Sequence, residues 1–253
     1  MTNKHHTLFI SDLHLDASTP ALNETFLHFL KTLAPKADAL YILGDFFDIW
    51  IGDDCHTPFS DRIIQALADF SQHGKPLYFI RGNRDVLVGR RFAKASRLTL
   101  LNDETIIDLY GKRTLLMHGD SLCTRDEKHQ RFRRLSQNPF YRFCFLRLPL
   151  FYRANMKKKY IEKRAHQNRT EYSTSPDRIM DVTPEALHEA FIQNNAELII
   201  HGHTHRPTIE TIPLKNQNVT RVVLAAWHNS GSVLRYDEDG QMALIDLPLI
   251  KGN

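Results

Sequence analysis

The chain has 253 residues, 42% of them hydrophobic and 25% charged, with a formal net charge of +4 and 14 histidines. That composition excludes a disordered or fibrous chain and suits one large α/β domain with an insertion. Three cysteines (Cys55, Cys123 and Cys144), odd in number and without CxxC spacing, argue against a disulfide framework and a zinc ribbon, and for reduced thiols in a cytosolic protein.

No apolar run approaches the ~18 residues of a spanning helix. The chain enters a strand within a few residues of Met1, so no signal peptide is expected. The mild positive charge suits an anionic partner, either phosphates or an acidic membrane surface.

In chain order, the first predicted strand is Thr7–Ser11, running into Asp12-Leu13-His14. Thr19-Pro20 reads as an N-cap and first helical residue. Leu22, Phe26, Phe29, Leu30 and Leu33 follow at helical spacing. Leu40-Tyr41-Ile42-Leu43 then runs into Gly44-Asp45, a buried parallel strand delivering a carboxylate to its C-terminal edge. After a loop containing Asp48, Trp50, Asp53 and Asp54, Ser60 is expected to cap a second helix that Gly74 closes. The next strand, Leu77–Ile80, leads to Arg81-Gly82-Asn83-Arg84-Asp85. A short helix near Gly89–Ser96 and weaker strands near Leu98–Leu101 and Thr105–Leu109 precede Leu115-Leu116-Met117, which ends in His118-Gly119-Asp120. The order so far is βαβαβ, the mark of a layered sheet with helices on its faces.

From about Cys123 to Pro176 strand signals vanish. Arg131, Arg133 and Arg134 lead into an apolar block from Phe140 to Tyr152, and a basic segment follows with Arg153, Lys157, Lys158, Lys159, Lys163, Arg164 and Arg169. We read a helical insertion that forms a lid over the strand ends. The plainer alternative is ordinary helix-packing core with a solvated cationic face. Segregation of apolar from basic residues favours contact with lipid chains and anionic headgroups. Beyond it, Thr183-Pro184 opens another helix, and Leu198-Ile199-Ile200 runs into His201-Gly202-His203-Thr204-His205. Segments near Thr208–Pro213, Val219–Ala226 and Val233–Tyr236, with a hairpin turning at Asp239-Gly240 and returning through Ala243–Leu247, are expected to form a second, mostly antiparallel sheet. The whole, residues 1–253, reads as a single domain with a helical cap at about 123–176.

Five predicted strands thus end in Asp, Asn or His. The candidates are Asp12, His14, Asp45, Asn83, His118, His203 and His205. Imidazole with carboxylate suits divalent ions of intermediate softness, such as Mn²⁺, Fe²⁺ or Zn²⁺. The absence of Cys argues against structural zinc. Asp12 and His14, two apart, share a face if extended. His203 and His205 serve different ions if their loop curls. Asp45 is the expected hub, since a carboxylate can bridge two ions. Two ions ~3.5–4 Å apart would clamp phosphoryl oxygens while a bridging hydroxide attacks phosphorus in line. Singly, each such Asp or His is an ordinary turn residue; seven on five strand ends are not.

Asp12-Leu13-His14, Gly44-Asp45-Phe46-Phe47-Asp48, Gly82-Asn83-Arg84-Asp85, His118-Gly119-Asp120 and Gly202-His203-Thr204-His205 resemble, in order and over nearly the whole chain, the five signature blocks of the calcineurin-like metallophosphoesterases. The resemblance implies an α/β fold, a layered β-sandwich core flanked by helices. It places Asp12, His14, Asp45 and His205 on one metal, and Asp45, Asn83, His118 and His203 on the other. Many members carry a proton-donating His after Gly-Asn; here Arg84 stands there, which cannot be a general acid at neutral pH but binds phosphate bidentately. That Arg, together with Trp50-Ile51-Gly52-Asp53-Asp54, Met117 to Thr124, Ile179-Met180-Asp181-Val182 and Ala225-Ala226-Trp227-His228, resembles the branch acting on UDP-2,3-diacylglucosamine in lipid A biosynthesis.

For that branch the implied reaction is attack on the α-phosphorus, giving UMP and 2,3-diacylglucosamine 1-phosphate. Two Mn²⁺ ions are the implied cofactors, with Asp45, Asn83, Arg84 and His203 in catalysis. Asn83, Arg84, Asp126, Asn168 and His203 are the implied substrate contacts. The implied location is the cytoplasmic face of the inner membrane, held peripherally, with a lipid-linked nucleotide as substrate. No obligate protein partner is expected, and no nucleic acid, because the cap's aromatics form one contiguous apolar block rather than a series spaced for base stacking. Rival readings are a hydrolase of soluble nucleotides or dinucleoside polyphosphates, and a metal-stabilised scaffold whose basic cap docks a partner. Metal dependence of turnover separates an enzyme from a scaffold.

Overall fold

The computed structural model describes residues 4–171, 181–214 and 217–250, with side chains described outside 164–171. Strands and helices alternate first: β1 (His6–Ile10), α1 (Pro20–Thr32), β2 (Ala39–Leu43), α2 (Pro58–Gln72), β3 (Leu77–Ile80), α3 (Arg90–Ser96) and β4 (Thr99–Leu100). A hairpin of β5 (Glu104–Leu109) and β6 (Lys112–Met117) follows, then the cap helices α4 (Glu127–Gln137), α5 (Pro139–Arg147) and α6 (Leu150–Glu171). The chain returns through α7 (Pro184–Asn194), β7 (Leu198–His201), β8 (Thr208–Leu214), β9 (Gln217–Val223), β10 (Ser230–Asp237) and β11 (Met242–Pro248).

These strands form two sheets, ordered β11-β10-β1-β2-β3-β4 and β5-β6-β7-β9-β8. In the first, β1, β2 and β3 are parallel and in step, with Leu8 opposite Leu40 and Leu40 opposite Leu77. Their continuous apolar runs follow from burial on both faces. Leu8, Ile10, Leu40, Ile42, Leu77 and Phe79 point to the core shared with α1, α2 and α3, whereas Phe9, Leu43 and Ile80 point to the core between the sheets. The second sheet does the same: Leu116, Leu198 and Ile200 face the first sheet, and Leu115, Met117 and Ile199 face α7. Side chains alternate with period two on every strand, so the sheets become the two inner layers of a helix–sheet–sheet–helix stack.

The expected composition of the second sheet is corrected. β10 and β11 belong to the first sheet, where β10 runs antiparallel to β1 with Thr7 opposite Tyr236. They cover what would otherwise be the free edge of β1. The second sheet is mixed: β6-β7 and β7-β9 are parallel, while β5-β6 and β8-β9 are antiparallel. A cap is also corrected. Thr57, not Ser60, is the N-cap of α2; its hydroxyl accepts from Ser60 N at 3.0 Å, and Pro58 fills the first turn. Thr19 does precede α1, but its hydroxyl donates to Asp16 O instead of capping the helix.

Three helices, α4 to α6, lie within the described part of the expected cap, whose residues 172–176 are outside the described residues. Its aromatics are not packing core: α4 and α5 bury no residue, and Phe140 is 70% exposed. Among the described residues, no helix is long and apolar enough to cross a membrane.

Candidate active site

Strands β1, β2 and β3 of one sheet and β6 and β7 of the other all end at one edge of the stack, at the seam between the layers. There the first two loops stay laced beyond the strands. Asp12 N donates to Gly44 O at 3.0 Å, His14 N to Asp45 O at 3.0 Å and Leu15 N to Phe46 O at 2.9 Å. On the second sheet Gly202 N donates to His118 O at 2.9 Å.

Asp12, His14, Asp45, His203 and His205 all have positive φ, between 49° and 68°. This conformation is costly for side-chain-bearing residues and collects at functional sites. The expected extended Asp12–His14 segment is therefore corrected: each residue turns left-handed to follow the β2 loop. The two still converge. Asp12, His14 and His205 bring one ligand atom each within 4.8 Å of one another, and so do Asp12, Asp45 and His118. Asp12 is the member common to both groups. It is fully buried and takes hydrogen bonds from Ser11 Oγ at 2.6 Å and His203 N at 2.9 Å on Oδ2, with His205 Nε2 3.2 Å from Oδ1.

His118 donates from Nδ1 to Leu43 O at 2.9 Å, which turns Nε2 to the site, 3.1 Å from Asn83 Oδ1 and 3.6 Å from Asp45 Oδ1. Burial opposes a charge on this ring, but Asp45 and Asp12 outweigh it and push His118 up to about 9, so Nε2 holds a proton that a bound cation would displace. The His203 ring lies against that of His118, with centroids 5.1 Å apart. Arg84 closes the rim: its backbone N donates to Asp45 Oδ1 at 2.9 Å, its Nε lies 3.3 Å from Asp45 Oδ2, and its fork also pairs with Asp48. Asp126 caps α4, accepting from His129 N at 2.9 Å. The Asn168 side chain lies outside the described residues.

Glycines make the crowding possible. A Cβ on Gly44, whose φ is +89°, would stand 2.6 Å from Gly82 N and 2.7 Å from His118 Nδ1. One on Gly82 would collide with Asp45 Oδ1. Asp85, fully buried, ties the same two loops together by accepting from Phe46 N and Gly82 N, each at 2.7 Å.

The donor set fits divalent cations. Burial pushes Asp45 up to about 7; His118 pulls against this, and the neighbouring Asp85 and Asp12 add to it. A cation relieves that repulsion between buried carboxylates. Burial pushes His14 and His203 down to about 3, keeping both rings neutral as ligands must be. His14 Nε2 and His205 Nε2 face each other at 3.4 Å, and His14 Nδ1 is buried without a hydrogen-bond partner.

Two residues that sequence reasoning passed over stand beside these ligands. His129 in α4 puts its ring 5.0 Å from that of His203 and its Nε2 3.8 Å from Asp120 Oδ2. Its only signal is the three-residue spacing from Asp126 at a helix start. His201, fully buried, donates from Nδ1 to Gly202 O at 2.8 Å and accepts from Arg221 Nε at 3.0 Å. It thereby braces the loop that carries His203 and His205.

Residues 5–207 match the calcineurin-like phosphoesterase family model, and the chain belongs to that family. Curated relatives named UDP-2,3-diacylglucosamine hydrolase are similar over nearly their full length. That of Coxiella burnetii (strain RSA 331 / Henzerling II) is 52% identical over 239 residues, 94% of this chain and 96% of the relative. Those of Yersinia enterocolitica and Serratia proteamaculans are 47% and 46% identical, each over 96% of this chain and 99% of the relative.

The close approach of Gly82 to Asp45 generates a prediction. Gly82→Ala is expected to weaken Mn²⁺ binding at least about tenfold in calorimetric titration, with the far-ultraviolet circular dichroism unchanged. Unaltered affinity would contradict this packing of the ligand loops.

Proposed function

We propose that this chain hydrolyses the pyrophosphate bond of UDP-2,3-diacylglucosamine, releasing UMP and 2,3-diacylglucosamine 1-phosphate for lipid A biosynthesis. One observation carries the substrate assignment beyond the family: an apolar cavity of about 410 Å³ begins at the metal loops themselves. Leu15, next to His14, and Phe47, two residues after Asp45, line it with Ile49, Trp50, Ile51 and Phe59. It suits an acyl chain whose sugar phosphate lies at the strand ends. A soluble nucleotide would leave that cavity without a role.

Asp12, His14, Asp45, Asn83, His118, His203 and His205 are the residues that would hold the cations, and we propose two Mn²⁺. Bound divalent ions neutralise phosphoryl oxygens and make water a nucleophile near neutral pH. The chain's own part is orientation. His118 is locked with Nε2 toward the site by Leu43 O. Arg84 brings a guanidinium to the rim, where its fork can bind pyrophosphate oxygens. Arg84 cannot give up a proton at neutral pH, but a phosphate leaving group departs as an anion and needs charge stabilisation rather than protonation.

The exposed cap supports peripheral attachment to the cytoplasmic face of the inner membrane. Phe140, Tyr141, Phe143, Phe151 and Tyr152 are exposed on α5 and the start of α6, and lysines follow on α6. Aromatic side chains beside cations match an anionic lipid surface.

Two assays test these readings. UMP release from UDP-2,3-diacylglucosamine in detergent micelles is expected with Mn²⁺, and is expected to vanish on chelation and in Asp45→Ala. Hydrolysis of soluble nucleotides alone would discard the lipid substrate. Flotation with phosphatidylglycerol vesicles is expected for wild type, weaker in high salt and in Phe140→Ser/Phe143→Ser. Recovery of all the protein in the lipid-free fraction would remove the membrane proposal.

A further inference from the structure

Arg153 stands in the basic segment of the cap, yet it is only 1% exposed. It is the one Lys or Arg buried to that degree among the described residues. Its Nε donates to Leu148 O at 3.0 Å, across the turn between α5 and α6. One Nη donates to Ile51 O at 2.6 Å and to Asp54 Oδ1 at 2.8 Å, and the other pairs with Asp54 Oδ2. The loop is shaped to admit this fork. Gly52 has φ +135°, and a Cβ there would collide with the Arg153 guanidinium. One turn along α6, Lys157 donates to Ile49 O at 3.3 Å and lies 3.5 Å from Asp16 Oδ2.

Two cations spaced i, i+4 on α6 therefore grip carbonyls two residues apart on a single loop. Ile49, Ile51, Asp16 and Lys157 all line the 410 Å³ cavity. We propose that Arg153 is a positioning residue for the substrate's acyl chain: it pins the α5–α6 turn to the 51–54 loop and so sets one wall of the cavity. Arg153 does not itself line the cavity. It acts through Ile51, the Asp54–Cys55 turn and the placement of Lys157. A lysine could not replace it, because the contact needs a planar fork that reaches a carboxylate and two carbonyls together. The proposal rests on reading the cavity as an acyl-chain site.

The cavity carries its own reporter. Cys55 lines it and is half-buried, Cys123 is buried with its thiol pushed up to about 12 by that burial, and Cys144 is exposed. In a Cys144→Ser background, alkylation by N-ethylmaleimide therefore reads access to Cys55. The variants are Arg153→Met and the milder Asp54→Asn, which leaves the arginine its carbonyl partners. Removing a cation slows a neighbouring thiol and removing an anion speeds it. Charge alone thus moves the two variants in opposite directions, whereas an opened wall moves both the same way. Labelling about tenfold faster in both variants, with KM for UDP-2,3-diacylglucosamine raised by a similar factor, is expected. Labelling that is unchanged, or that shifts in opposite directions, overturns the proposal whatever the kinetics. Should wild type release no UMP, the substrate reading fails, while the Cys55 comparison still decides whether Arg153 sets that wall of the cavity.

Discussion

Everything at the catalytic edge depends on a carboxylate that has no access to water. Asp12 sits where the two sheets meet, fully buried, and its oxygens are claimed from both sides. Ser11 comes from its own loop after β1; His203 N and His205 come from the loop after β7 of the far sheet. Trp227 N donates to Asp12 O at 3.0 Å, which ties the same residue to the loop before β10. An isolated buried carboxylate is expensive. Here hydrogen bonds from His205 and Ser11 and the charge of the neighbouring histidines outweigh burial and hold it well below the usual carboxylate range. Separating the sheets would strip those partners away, so the seam and the metal centre stand or fall together.

The residues of that centre were legible because parallel strands buried on both faces leave chemistry only at their ends. Each apolar run pointed to the Asp, Asn or His after it, and five such runs converged. What convergence looks like in space was less legible. Asp45 read as the shared ligand because a carboxylate can bridge two ions, and the geometry adds Asp12 as a carboxylate present in both groups of converging ligand atoms. Nothing local separates β9 from β10: both mix apolar and polar residues, and the open edge of β1 decides that β10 leaves the second sheet. Thr57 and Ser60 are both good cap residues, and Pro58 settles which one begins the helix.

Partners contributed from a distance were the least visible. His129 reaches the site from the cap, and Asp85 braces the site with backbone bonds rather than by ligation. The basic segment looked uniform in sequence, but its first member is buried and its last lie beyond the described side chains. Charge in a row says nothing about which cation meets a glycine-lined slot. The cap thereby divides its work, with aromatics exposed on α5 and the start of α6, and Arg153 and Lys157 directed at the core.

The central claim is that five strand ends make one centre for two cations. Crystals grown with Mn²⁺ and measured at the manganese absorption edge test it most directly. The account predicts two anomalous peaks ~3.5–4 Å apart, with Asp12 and Asp45 beside the line that joins them. A single peak, or peaks away from these carboxylates, would contradict it.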